Sequence, residues 1–445
     1  MRTSVALVSL GCAKNLVDSE VMIGLLSEAG FEPTTDLDKA DVLIVNTCAF
    51  IDEAQEEAVD TILHLAEFRK KSRFRKLVVT GCLAQRFPED LIAEIPEIDS
   101  VVGTGDFHKI VKVVRDTLAG KRVKLVSKKP AFIYNDTLPR CISTPKHTAY
   151  IKIAEGCNNR CSYCVIPELR GDFRSRPIDS IVTEARHLAK GGARELILIA
   201  QDTTRYGKDL YGTYSLDKLL KEVCRIDEIE WVRVLYMYPT RVTDELIEVI
   251  ASEPKVCKYV DLPLQHVDDE LLRLMNRQGQ IEEAQQTIEK FREAIPDVTV
   301  RSTFIVGFPG ETERKFQKLL DFLKETRLDR VGIFTYSPES GTPASFLPGR
   351  IKKTVKKMRK HKAMEVQRLI SRENNEAKIG RVMKVLIEGR AEESKLVTVG
   401  RSQAEAPDID GLIYIGNQHP MPGEFKLVRV TDVGDYDLVG EIVSS

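Results

Sequence analysis

The sequence predicts an α/β protein of several domains: an open parallel α/β sheet, a partial (β/α)6 barrel, and a small antiparallel β-barrel. Three observations carry this. Short runs rich in β-branched residues alternate with helical periods up to Gly120. The same alternation resumes near Tyr150 with six strand candidates. After Ala377 the helical periods stop, and five short strands follow between Gly and Asp turns.

In the first segment, residues 1–120, the strand candidates are Ser4–Ser9, Val42–Asn46 and Leu77–Thr80, with helical patterns such as Leu16–Ala29 and Asp52–Lys70 between them. Buried strands alternating with helices imply a parallel sheet. Residues 121–147 are polar, contain proline and read as a linker. The second segment, 148–377, offers strands Tyr150–Ala154, Leu196–Ala200, Val232–Tyr236, Tyr259–Leu262, Val298–Val306 and Val331–Thr335, separated by helical patterns such as Ile178–Gly191 and Ile281–Ala294. Six βα units fall short of the usual eight, so an incomplete barrel is expected. A basic run, Arg350–Lys362, carries eight Lys or Arg and no acid. It is either a solvated helix face or a contact for rRNA or another phosphate. The third segment, 378–445, offers Arg381–Ile387, Leu396–Arg401, Gly411–Ile415, Glu424–Val433 and Tyr436–Val443.

Composition narrows the class. The chain has 445 residues, 42% hydrophobic and 30% charged, as in ordinary globular proteins. A net charge of −1 gives no global basic footprint of a nucleic-acid binder. No apolar run approaches the ~18 residues of a membrane span. Met1–Leu10 lacks the apolar core and cleavage site of a signal peptide and reads as a strand. A reducing, cytoplasmic setting is therefore expected. There the nine cysteines suggest metal or catalytic roles rather than disulfides. Cys141, Cys224 and Cys257 look like ordinary thiols.

Cys157, Cys161 and Cys164 form a C-x3-C-x2-C array just after the first barrel strand. A [4Fe–4S] cubane has four irons, and three thiolates on one loop hold three of them. The fourth stays open for a guest, as in catalytic metal sites. The expected guest is S-adenosylmethionine (SAM), bound through its amino and carboxylate groups, whose reductive cleavage is cofactor chemistry that the protein positions and shields. Zinc would want a fourth ligand; the nearest candidate, His147, lies on the wrong side of a strand. Cys12, Cys48 and Cys82 each follow one of the first three strands. They therefore share the carboxyl edge of one sheet, where open α/β folds place their sites. Gly11 and Gly81 immediately precede two of them and permit close backbone approach. A second three-cysteine cluster site, again with an open iron, follows. The alternative is three buried thiols with no ligand role.

These motifs, together with Ser9-Leu10-Gly11-Cys12-Ala13-Lys14-Asn15, Asn46-Thr47-Cys48-Ala49-Phe50-Ile51, Leu169-Arg170-Gly171, Gln201-Asp202-Thr203 and Tyr206-Gly207, resemble the methylthiotransferase family of radical-SAM enzymes. The resemblance covers nearly the whole chain. It implies an amino-terminal cluster domain, a radical-SAM barrel and a TRAM-like β-barrel. It also implies two [4Fe–4S] clusters, one SAM that methylates sulfur at the amino-terminal cluster, and another cleaved reductively at Cys157, Cys161 and Cys164. The substrate then loses a hydrogen from an unactivated C–H and captures the methylthio group. A low-potential electron donor such as flavodoxin or ferredoxin is required. Tyr163 lies where this superfamily often sets an aromatic beside adenine, though loop packing explains it equally. Gly191, Gly192 and Glu195 resemble a Gly-Gly-Glu segment that meets the SAM amino group, with two residues inserted before the acid; a helix C-cap glycine serves as well. Gly307, after the fifth barrel strand, is placed against the SAM pocket or in a simple turn.

The resemblance leans to the branch that modifies the β-carbon of an aspartate in the twelfth small-subunit ribosomal protein, possibly on the ribosome. The other branch, acting on tRNA adenosine, tends to carry Gln-Met-Asn where this chain has Ala13-Lys14-Asn15. Charge points the same way. From Glu376 to Ser445 there are eight Lys or Arg against twelve Asp or Glu. Asp408, Asp410, Asp432, Asp435 and Asp437 lie in turn regions. An acidic barrel suits a basic ribosomal protein better than RNA phosphates, so RNA contact is expected to be secondary.

Overall fold

The computed structural model describes residues 2–70, 76–392, 394, 396–416 and 418–443, with backbone alone at 68–70. The first sheet is parallel throughout. Its order is Glu32–Pro33, Ser4–Ser9, Val42–Thr47, Lys76–Gly81, Ser100–Val102, Val123–Leu125. Every residue of Val42–Thr47 is buried. That is the expected state of a central strand covered on both faces, and it explains the continuous apolar run. The last strand falls within the stretch read as linker. Three residues with one Lys among them gave no periodic signal, yet Val123 pairs with Ser100.

The rest of that stretch is irregular but firmly tied. Arg140 bridges Glu20 of the amino-terminal domain (Nη2–Oε2 2.6 Å) and Glu184 of the barrel (Nη1–Oε1 2.7 Å). Tyr134 donates to Glu184 at 3.1 Å. It is a strap more than a spacer.

The barrel is open and six-stranded, built as two parallel three-stranded sheets in chain order. Thr148–Lys152, Glu195–Ile199 and Trp231–Val234 form one half; Tyr259–Asp261, Thr299–Val306 and Arg330–Thr335 form the other. Main-chain bonds stitch the halves: Cys257 N–H to Val232 at 2.9 Å and Met237 N–H to Asp261 at 2.9 Å.

The carboxy-terminal barrel is closed, with strands Val382–Arg390, Val397–Arg401, Ile413–Gly416, Leu438–Ile442 and Phe425–Val433 in that order. It is not wholly antiparallel as expected, because Ile413–Gly416 runs parallel to Leu438–Ile442. Five strands cannot alternate direction all the way round a closed barrel, so at least one neighbouring pair must be parallel. Glu393 and Lys395, counted in the charge of this segment, lie outside the described residues.

One apolar cluster crosses all three units. It joins Val21 and Phe107 of the first, Tyr150, Ile197 and Trp231 of the second, and Leu386 and Ala406 of the third. Phe425 packs edge-on to Trp231 with centroids 4.8 Å apart. Shared burial of this kind, at roughly 25 cal/mol per Å² of apolar surface, fixes the units against one another.

Candidate functional site

All six clustered cysteines line one cavity of about 640 Å³ between the amino-terminal sheet and the barrel. Cys12 precedes the helix Ala13–Glu28, Cys48 follows Val42–Thr47, and Cys82 opens the short helix Cys82–Arg86. Across the cavity, Cys157, Cys161 and Cys164 sit on the loop after Ala154–Glu155. The two triads therefore share one cavity.

The backbone at each triad is specific. Gly81 has φ +94°, and a Cβ there would lie 2.3 Å from Asn46 Oδ1 and 2.5 Å from the Thr47 carbonyl. A Cβ on Gly11, φ +88°, would lie 2.7 Å from the Cys48 Cβ. Asn15 gathers the three loops. Its amide donates to the carbonyls of Leu10 (3.1 Å) and Thr47 (2.9 Å), while its Oδ1 lies 3.8 Å from Cys82 Sγ. At the other triad, the Asn159 N–H donates to Cys157 Sγ at 3.5 Å.

Burial pushes the Cys82 thiol up to about 12 and the Cys157 thiol up to about 11, and it raises Cys48 and Cys164 too. Such thiols ionise when a metal takes the place of their protons. Among the described residues, no three His, Cys, Asp or Glu are gathered closely enough for a single ion. A cubane asks for a wider triangle, since each thiolate takes a different iron. Six thiols in two triads that face one cavity, glycines that leave no room for a side chain, and the Asn15 brace fit two such clusters.

A buried polar junction links the triads. Arg170 donates to Glu155 (Nη1–Oε1 3.0 Å), Asp18 (Nη2–Oδ2 3.1 Å) and Asn15 (Nη2–Oδ1 2.6 Å). Lys152 pairs with Asp18 and, at 2.6 Å, with Glu155. Glu155 stands two residues before Cys157, and Asn15 three after Cys12. Four charged side chains this deep are tolerable because each is paired and hydrogen-bonded.

On the barrel side, Arg241 pairs with Asp202 and donates to Asn159 Oδ1 (2.6 Å) and Gln278 Oε1 (2.9 Å). Asn159 donates to Asp202 at 3.0 Å. Tyr236 and Gln265, also on the cavity wall, hold left-handed backbone at φ +63° and +73°. Bulky residues pay for that conformation, and such strain clusters at functional sites. Lys14 reaches over Tyr236, its Nζ 3.1 Å from the ring centroid. Burial pulls the Lys14 ammonium down to about 8.

The other sequence-predicted residues divide. Tyr163 lines the cavity. Gly191, Gly192 and Glu195 do not; they lie where a helix ends and the second barrel strand begins, at the opposite end of the barrel from the cysteines. Gly191 ends the helix Ile178–Lys190, so its capping reading holds. The Glu195 carboxylate is held by Arg233 (2.8 Å) and by Arg401 of the third domain (2.6 Å). These three residues are accordingly withdrawn as SAM contacts. Gly307 is not on the cavity wall either. Its N–H donates to Glu311, and a Cβ there would lie 2.3 Å from Lys356 Cγ, so it is a turn residue. His147 bonds Glu388 at 2.9 Å, on no cysteine site.

Sequence reasoning quoted Lys14, Asn15, Arg170 and Asp202 within motifs and gave them no role. Lys14 and Asp18, four positions apart and so on one face of the helix Ala13–Glu28, were the available signal.

Comparison with known proteins agrees with this architecture. Residues 4–103 match uncharacterized protein family UPF0004, residues 151–323 the radical SAM superfamily, and residues 379–443 the TRAM domain. The chain is 49% identical over 443 residues to ribosomal protein uS12 methylthiotransferase RimO of Geobacter sulfurreducens, covering 100% of this chain and 99% of that protein. It is 51% identical over 437 residues to the protein of the same name from Heliobacterium modesticaldum, covering 98% and 94%. Among solved structures it resembles the radical S-adenosylmethionine methyltransferase TsrM of Kitasatospora setae, solved with tryptophan and the SAM analog aza-SAM. The TM-score is 0.56 at 16% identity, over 86% of this chain and 78% of that one, a likeness of fold alone.

Proposed function

The chain belongs to the family of ribosomal protein uS12 methylthiotransferases, and on that premise we propose that it places a methylthio group on the β-carbon of an aspartate in uS12. The observation that carries the reading is the meeting of two cysteine triads across one cavity. It is a radical-SAM enzyme that uses SAM and [4Fe–4S] clusters. We assign Cys12, Cys48 and Cys82 to one cluster, and Cys157, Cys161 and Cys164 to the SAM-binding one. When bound, the first supplies a sulfur that can be methylated and the second supplies the electron that cleaves SAM.

The chain's own residues do the rest. Cys48, Cys82, Cys157 and Cys161 are buried, which limits the access of water to the reacting groups. Tyr163, and the Asn159–Asp202–Arg241 group, offer SAM an aromatic face and fixed polar atoms. Arg170 sets a positive charge beside Cys82 and Cys12, suited to an anionic iron–sulfur group.

Two readings of the substrate were open, and the tRNA one is not favoured. The uS12-named relatives span the whole chain, and the third domain carries more acids than bases. A secondary RNA contact has a candidate surface. Lys353, Lys357 and Lys360 are exposed on the helix Lys353–Glu376 with no carboxylate within 4.0 Å among the described residues. Ribosomal RNA beside uS12 would meet such a stripe. A low-potential donor of the flavodoxin or ferredoxin class is required by the reductive step. No described helix is long and apolar enough to cross a membrane. A ribosomal-protein substrate supports a cytoplasmic setting.

We set the domain boundaries at 1–125, 148–377 and 378–445, with the remaining strap between the first two. The test is mass spectrometry of uS12 and tRNA from a strain lacking the gene. Loss of the methylthio mass from uS12 is expected, and loss from tRNA alone would overturn the reading.

A further inference from the structure

Among the described residues five cations line the cavity: Lys14, Arg160, Arg170, Arg277 and Arg301. Four have their charge engaged or turned outward. Arg170 is bonded to Glu155 and Asp18, and Arg301 to Asp261 at 2.8 Å. Arg160 is exposed and faces Asp172 at 3.1 Å. Arg277 donates to the Pro263 carbonyl at 2.5 Å and stacks on Tyr238, 4.2 Å from the ring centroid.

Lys14 differs. It is 5% exposed, yet among the described residues no carboxylate lies within 4.0 Å of its ammonium. The groups that act on it at longer range are Cys12, two residues away, and the acids Asp261 and Glu155, which are already paired with Arg301 and with Lys152 and Arg170. Its ammonium lies against the face of Tyr236. A buried ammonium that faces an aromatic ring, with no hydrogen-bond acceptor among the described residues, keeps its N–H donors for an anion in the cavity. Tyr236 is itself held in strained backbone, its N–H bonded to Asp261 Oδ2 at 2.9 Å, so the ring under Lys14 is fixed. Lys14 also lies in the first turn of a sixteen-residue helix, whose amino end favours negative charge.

We propose that Lys14, seated on Tyr236, is the binding site for the carboxylate of the substrate aspartate. This rests on the function proposed above. A side-chain carboxylate entering the cavity would give those donors an acceptor, one bond from the carbon to be modified. The site would discriminate an aspartate from its isosteric amide, because asparagine leaves the ammonium without a counter-charge. Tyr236 limits the ammonium's movement, which aims the carboxylate toward the Cys12 side of the cavity. Lys14 would thus be a specificity residue.

The test uses anaerobically reconstituted full-length protein and two synthetic uS12 peptides, one with the target aspartate and one with asparagine in its place. Peptide binding is measured by calorimetry, together with iron and sulfide content. Wild type should bind the aspartate peptide roughly tenfold or more tighter, the scale of a charge-assisted hydrogen bond. Lys14→Met should bring the ratio near one with the iron content kept, and Lys14→Arg should restore part of the preference. An unchanged ratio in Lys14→Met overturns the proposal. So does loss of about half the iron in that variant, which would make Lys14 a counter-ion of the cluster. Wild type that neither binds nor modifies the aspartate peptide would overturn the substrate reading and this inference together. Wild type that modifies it, beside an unchanged ratio in Lys14→Met, would overturn this inference alone.

Discussion

Arg170 of the barrel domain donates to Asn15 of the amino-terminal domain, Nη2 to Oδ1 at 2.6 Å. Asn15 in turn braces the loops that carry Cys12, Cys48 and Cys82. One guanidinium therefore ties the backbone of one triad to Glu155, two residues before the other. The distance between the two sites is set by buried hydrogen bonds and ion pairs as well as by apolar packing.

Arg170→Ala should be severely destabilising. It removes the shared partner of Glu155 and Asp18 and leaves buried charge uncompensated, a loss of about 3–5 kcal/mol. Arg170→Lys should recover only part, since an ammonium cannot reproduce the planar fork. Denaturant unfolding under anaerobic conditions measures both; a variant as stable as wild type would remove the junction from the account.

The two triads should separate by function. Cys161→Ala should abolish formation of 5′-deoxyadenosine. Cys48→Ala should leave that formation largely intact and stop sulfur insertion. Normal sulfur insertion by Cys48→Ala protein would refute the division between the sites.

Gly81→Ala should cost the amino-terminal site its metal. The added Cβ meets Asn46 and the Thr47 carbonyl below 3 Å, and φ +94° suits glycine alone. About half of the iron should be lost, with SAM cleavage retained. Full iron occupancy in the variant would show that the turn tolerates a side chain.

Glu195 gives a pH prediction. Burial works to raise its carboxyl, but Arg401 and Arg233 more than offset this and bring it to about 2, from an ordinary 4.5. A depressed folded-state value stabilises the protein above the ordinary value and loses that contribution as pH falls. Glu195→Gln should therefore be less stable than wild type by a constant margin from pH 7 to 5. The margin should shrink below about 4.5. A margin that widens on acidification would contradict the pairing. Truncation after Ala377 should also be destabilising, because it strips Arg401 from Glu195.

Much of this was legible in the chain. Strand-end cysteines in register announce a shared edge because parallel strands put their carboxyl ends together, and six βα units announce an open barrel. Other features were not. Val123–Leu125 is a strand only because Ser100–Val102 offers it an edge. The resemblance of Gly191–Glu195 to a SAM motif failed because motif spacing says nothing of which end of a strand a residue occupies. The Arg170 junction joins residues more than 150 positions apart, a distance that local patterns cannot bridge. Lys14 read as one letter of a motif until its lack of a carboxylate became visible.

The central claim is that two cysteine triads each hold a [4Fe–4S] cluster across one cavity. Its most direct test is iron and sulfide analysis with Mössbauer spectroscopy on anaerobically reconstituted wild type, a Cys12/Cys48/Cys82→Ala triple variant and a Cys157/Cys161/Cys164→Ala triple variant. About eight iron and eight sulfide per chain are expected in wild type, and about four of each in either variant, all as cubane signals. Wild type holding about four iron, or zinc in place of iron, would contradict it.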